Sequence, residues 1–147
     1  MANENNLELT VFHLIRPEDL NHHGTLFAGQ MAKWLVEAGV MTASQLTGKP
    51  EDVVCVQLDR MTFKKTVNNG DLIEIKSRIA YLGSTSITVY SQVFRKRDAA
   101  SLVSNMATFV TVDKHNKPYE HGFKLTEEYI ANNHDIYQEA LIIRNRK

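Results

Sequence analysis

Apolar and polar residues alternate in part from Leu7 to Ile15, with β-branched and aromatic side chains among them, and this predicts a strand. A polar turn from Arg16 to Gly24 follows, holding Pro-Glu-Asp and Asn-His-His-Gly. From Leu26 to about Leu46 apolar residues come too densely for alternation, and strong helix formers predict one long helix that Gly48 and Pro50 end. The period then becomes two. Val53 to Phe63 reads as a strand bent near Asp59-Arg60, and Asn68-Asn69-Gly70 turns the chain into a strand from Asp71 to Leu82. Gly83-Ser84-Thr85 leads into Ser86 to Arg95, and Arg97 to Ala100 leads into Leu102 to Val112. An amphipathic helix from about Thr126 to Ile143 closes the chain.

Strand, long helix, then an antiparallel meander is an α+β order, satisfied by one helix wrapped by a single curved sheet. The helix is apolar nearly all round. One sheet covers only one side of it, so a second subunit is the expected cover for the rest. At 147 residues the chain is expected to be one domain, 1–147. Seventeen basic residues balance seventeen acidic ones, which argues against nucleic acid or a membrane surface as partner. A lone cysteine, Cys55, excludes a disulfide framework and fits a reducing compartment. No apolar run approaches membrane-spanning length and the first ten residues lack a signal-peptide pattern, so a cytoplasmic location is expected.

The segment Asn21-His22-His23-Gly24-Thr25-Leu26-Phe27-Ala28-Gly29 is the most informative. A Gly-bearing turn feeding an apolar helix brings free backbone N–H groups and the positive dipole end to one point, a site for a carbonyl oxygen or an oxyanion. Small residues at Ala28 and Gly29 would let a ligand approach. An ordinary helix start with Thr25 as N-cap is the alternative.

This segment resembles the hotdog-fold acyl-CoA thioesterases, particularly the bacterial and brain-type acyl-CoA hydrolases. Their pattern runs Asn-x-x-Gly-x-x-Phe/His-Gly-Gly, with an acid further along the central helix. Asn21, Gly24, Phe27 and Gly29 match it, and Ala28 stands where the first Gly of the pair is usual. Met61-Thr62-Phe63 followed by Asn-Gly-Asp, and Gly83-Ser84-Thr85-Ser86, are similar too. The resemblance spans roughly residues 8 to 113. It implies a hotdog fold and hydrolysis of an acyl-CoA thioester to free acid and CoA. It implies a homo-oligomer, from dimer to tetramer or hexamer, with its site between subunits. No metal is implied, and no cofactor beyond the coenzyme A that is part of the substrate.

By the same resemblance Asn21 would hold the thioester or the water, and the Ala28 backbone N–H would face the oxyanion. The acid's position, counted from Asn21, is occupied by Val36. Glu37 is next door, about 100° further round the helix. Either its carboxylate reaches the site, or it pairs with Lys33 on the polar stripe Gln30-Lys33-Glu37. Asp59 is the reserve acid. Gly24, Phe27, Gly29, Lys64, Gly83, Ser84, Arg95 and Arg97 are the expected substrate and CoA contacts. Lys64-Lys65 and Arg95-Lys96-Arg97 suit the coenzyme's phosphates, or, in the second case, charge a hairpin end against edge pairing. Adjacent His22 and His23 point apart and make no metal site, His115 and His121 read as solvated, and Cys55 reads as a buried thiol. Because Val36 replaces the acid, a non-catalytic acyl-CoA binding or sensing module is the alternative function. A dehydratase on this fold, which would pair a His with the helix acid, fits less well.

Overall fold

The computed structural model describes residues 6–145. The elements run β1 (Glu8–Leu14), α1 (Ala28–Thr47), β2 (Val53–Asp59), β3 (Leu72–Leu82), β4 (Ser86–Arg95), β5 (Ala100–Thr111), α2 (Glu127–Asn132) and α3 (His134–Arg144). Short 3-10 turns at Pro17–Asp19 and Pro50–Asp52 precede α1 and β2. The five strands form one antiparallel sheet ordered β1-β3-β4-β5-β2. α1 lies along one face of it, which is the hotdog arrangement the sequence resemblance implies.

α1 buries one side only. Trp34, Leu35, Ala38, Ala43 and Leu46 face the sheet, while Gly29, Lys33, Glu37 and Met41 are exposed at four-residue intervals. Gly39 lets the helix ride close to β5, since a Cβ there would come within 2.9 Å of the Phe109 ring. Two apolar clusters fill the space beneath, one around Trp34, Ile75 and Val103 and the other around Leu46, Ile87 and Phe109. Between them the inward face of the sheet is polar. Ser77 and Ser91, paired across β3 and β4, are buried and bond through their Oγ atoms at 2.6 Å. Asn105, opposite Ser91 on β5, is also buried and donates to the Asp59 carbonyl at 2.8 Å.

The closing helix is two helices. The Asn133 side chain donates to the Tyr129 carbonyl at 2.9 Å and its own N–H caps the end of α2, so the chain bends there. A short polar side chain that competes for backbone partners does this to a helix. The bend carries α3 onto the face opposite α1, where Ile136, Ala140 and Ile143 bury against Ala80 and Met106. His121, expected in solvent, is half-buried, with one ring nitrogen 3.0 Å from the Ser86 carbonyl and the other accepting from the Phe123 N–H.

β2 departs most from expectation. It stops at Asp59, where Arg60 turns the chain with φ +36°, instead of running to Phe63. It lies at the sheet edge with Val54, Val56 and Leu58 exposed. Cys55 is exposed with them rather than buried, because among the described residues no element covers these side chains. No helix among the described residues is long and apolar enough to cross a membrane.

Candidate active site

The loop before α1 is a closed unit built on Asn21. The Asn21 N–H donates to the Thr25 carbonyl at 2.7 Å, and the Gly24 N–H returns to the Asn21 carbonyl at 3.0 Å, with Gly24 at φ +80° where only glycine is unstrained. The Asn21 Oδ1 accepts from the His23 and Thr25 N–H groups at 2.9 and 3.2 Å. Its Nδ2 donates to Thr25 Oγ1 at 3.1 Å and, at a longer 3.5 Å, to the Leu26 carbonyl. Oδ1 therefore braces the loop, and Thr25 fixes the orientation of Nδ2. The partner Thr25 was not foreseen in that role, although an Asn four residues before a Thr in a Gly turn was its signal.

Because Thr25 serves Asn21, it does not cap the helix. The N-cap is Phe27, with no side-chain hydrogen bond, and the Ala28 and Gly29 N–H groups find no acceptor among the described residues. Bonds from Leu26 N–H to Val67 (2.8 Å) and from Phe27 N–H to the Asp19 carbonyl (2.9 Å) hold the helix start in place. Buried Asp19 adds a bond from Gln30 Nε2 at 2.9 Å. The open amides thus sit at the positive end of a 20-residue helix, where an oxyanion is stabilised. Asn21, Thr25, Ala28, Met31, Phe63 and the Lys64–Val67 segment line a cavity of about 250 Å³ at this point.

Gly29 is small for another reason than ligand approach: the Phe27 ring lies over it, where a Cβ would strike that ring. Phe27 itself is half-exposed and does not line the cavity. The rings of His22 and His23 do not point apart but tilt against each other at 4.0 Å, in solvent. Among the described residues no group of three or more His, Cys, Asp or Glu is placed to hold a metal ion.

The two candidate acids stand apart from this cavity within one chain. Glu37 is exposed and makes no ion pair with Lys33. Its charge acts on His13 of β1. The His13 ring stacks on Trp34 at 4.1 Å, and burial there lowers its pKa against the opposing pull of Glu37 and Asp19. Asp59, half-buried at the end of β2, lines a neighbouring cavity with Arg60, Thr62 and Lys64. Lys64 lines both cavities and so joins them.

Arg95 is a correction. Its guanidinium is turned inward and fully engaged, with a fork on Asp98 (3.0 and 2.8 Å) and a third bond to the Thr66 carbonyl at 2.9 Å. That hydrogen bonding, with the Ala100 N–H, holds the Asp98 carboxyl well below the usual carboxylate range. Arg95 braces the wall of the cavity instead of offering a charge to a phosphate. Since β4 is an interior strand, the cluster has no edge to protect either. Arg97 reaches Asp71 at 3.3 Å. Gly83 and Ser84 lie at the other end of β3 from the Asn21 loop, roughly 35 Å away along an 11-residue strand.

Comparison with known proteins places this geometry. A family model described as the Thioesterase superfamily matches residues 23–101, more than half of the chain. The chain is 25% identical to the uncharacterized acyl-CoA thioester hydrolase YkhA of Bacillus subtilis, covering 89% of this chain and 78% of that protein. It is 29% identical to the acyl-CoA thioester hydrolase YciA of Salmonella typhimurium, over 76% of this chain and 87% of the relative. Among solved structures, an apo-hexameric acyl-CoA thioesterase superposes with a TM-score of 0.76 at 26% identity, over 92% of this chain and 86% of the other.

Proposed function

The chain belongs to the thioesterase superfamily, and from that membership we propose that it hydrolyses acyl-CoA thioesters to a free carboxylic acid and CoA, as one domain working in a homo-oligomer in the cytoplasm. The observation that carries this is the meeting of the Asn21 amide and the unfilled Ala28 N–H in one cavity at the start of α1. The thioester oxygen lies at the Ala28 N–H, and Asn21 Nδ2 holds the thioester or the attacking water. Water attacks the carbonyl carbon, and the charge that develops on oxygen meets a donor already oriented by the helix. Collapse of the tetrahedral species breaks the C–S bond and releases the CoA thiolate. Coenzyme A enters as part of the substrate, and side chains, main chain and water supply the rest.

A carboxylate takes the proton from water. Asp59 is favoured over Glu37, because it sits on the exposed edge strand and its cavity shares Lys64 with the Asn21 cavity, whereas Glu37 lines neither cavity. β2 also supports the assembly: an uncovered edge with Val54, Val56 and Leu58 exposed is a surface for a second copy.

Release of free thiol from a panel of acyl-CoAs tests the activity directly. Asp59→Asn is expected to lower turnover by about 10² to 10⁴, the usual contribution of a general base, and to remove the acid limb of the pH–rate profile. Glu37→Gln is expected to leave both nearly unchanged. The reverse pattern returns the role to Glu37, and full activity in both variants sinks base assistance altogether. A binding-only module is the second reading, favoured by Val36 at the acid's position; it predicts CoA binding without thiol release.

A further inference from the structure

Asparagine forms strands poorly, and a buried amide is costly unless it is bonded. Asn105 nevertheless stands in the middle of β5 and is only 3% exposed. The reason lies in how β2 ends. That strand stays in register with β5 up to the pair of Asp59 with Met106, and leaves the ladder there. Arg60 takes up φ +36°, a conformation that persists in a non-glycine residue only where its surroundings enforce it. The chain rejoins β5 at Lys64, whose N–H donates to the Leu102 carbonyl at 3.0 Å. Residues 60–63 thus form an arch tied down at both ends. At the Lys64 end the tie is main chain to main chain. At the other end it is a side chain: Asn105 Nδ2 donates to the Asp59 carbonyl at 2.8 Å. Asn105 lines the same cavity as Asp59, Arg60, Thr62 and Lys64, and does not line the Asn21 cavity.

We propose that Asn105 is a positioning residue for the reaction: by holding the Asp59 main chain it fixes where the Asp59 carboxylate stands. The inference rests on the hydrolase reading and on Asp59 as the base, and it adds a residue that acts only through Asp59. The planar peptide joining Asp59 to Arg60 carries the carbonyl that Asn105 holds. Turning that plane changes two angles together, the ψ of Asp59 and the φ of Arg60. The bond from Asn105 therefore locks both the orientation of Asp59 and the left-handed turn of Arg60. Without the bond, Arg60 relaxes toward the ordinary region and the peptide plane rotates. The Asp59 side chain swings with it, while the Lys64 end of the arch stays tied to Leu102. Burial makes the hold firm, because a buried amide donor has no water to turn to.

The test is a double-mutant cycle between positions 105 and 59, read by thiol release from acyl-CoA. Asn105→Leu keeps the volume and removes the donor. Asn105→Ser leaves a hydroxyl too short to reach the carbonyl, and serves if the leucine variant does not fold. Each is expected to lower kcat by about ten- to a hundredfold, the scale of a misplaced group, with KM nearly unchanged. The acid limb of the pH–rate profile stays, because the carboxylate is still present. In the Asp59→Asn background the same substitutions are expected to cost nothing further, since no base is left to misplace. An equal loss in both backgrounds makes Asn105 a general support of the fold and overturns the proposal. Wild-type kcat in a folded Asn105 variant does the same, and either result leaves the hydrolase reading standing. Full turnover in Asp59→Asn removes the base and the positioning role with it. A wild-type protein that releases no thiol overturns the hydrolase reading, and Asn105 then has no reaction to serve.

Discussion

Asn21→Asp is expected to lower acyl-CoA turnover by about two to three orders of magnitude while the melting temperature stays close to that of the wild type. The substitution keeps an oxygen where Oδ1 accepts the His23 and Thr25 N–H groups, so the loop retains its brace. It removes the Nδ2 donor that Thr25 aims, and it places a negative charge beside the position where the thioester oxygen becomes negative. Loss of one donor to a developing oxyanion accounts for about 10² to 10³ in rate. Asn21→Ala removes both functions and should lose turnover together with about 1 kcal/mol of stability from the unpaired loop amides. Thiol release and thermal melts on the two variants separate the roles. Turnover in Asn21→Asp near the wild-type level would reduce Asn21 to a brace of the loop.

Val56→Lys is expected to yield monomers and to lower turnover by about a hundredfold. Val56 is exposed on the edge strand, at the point where the β2–β5 register shifts between Cys55 and Gln57. A lysine on an edge strand opposes pairing with another strand, and misplacing half of a shared site costs rate on this scale. Sedimentation and thiol release on the same sample check both halves of the expectation. Monomers that keep full turnover would confine the site to one chain and break the link between β2 and catalysis.

The element order was readable because each segment carries its own period: dense apolar residues in α1, alternation in β3, and Gly or Asn at the turns. The turn at Asn21 and the start of α1 at Ala28 were readable for the same reason, since a turn and the helix it feeds are local in sequence. The departures all depend on distant partners. Cys55 sits among valines like a core residue, and only the position of β2 at the sheet edge leaves it exposed. Arg95 looks like a free charge until Asp98 and the Thr66 carbonyl close around it. The bend at Asn133 needs the buried face of α3 to reach the far side of the sheet, which helical periodicity alone does not encode.

The hydroxyl pair buried between the two halves of the core also bears on how this sequence can change. Ser77→Ala alone leaves the Ser91 hydroxyl buried and without its partner, at about 1 to 3 kcal/mol, whereas replacing both with alanine is nearly neutral because no polar group is stranded. A lineage can therefore lose both serines readily but must pass through a disfavoured single substitution on the way. Positions 77 and 91 should accordingly vary as a pair, and a drift that carries them apart is held back by the intermediate rather than by either end state.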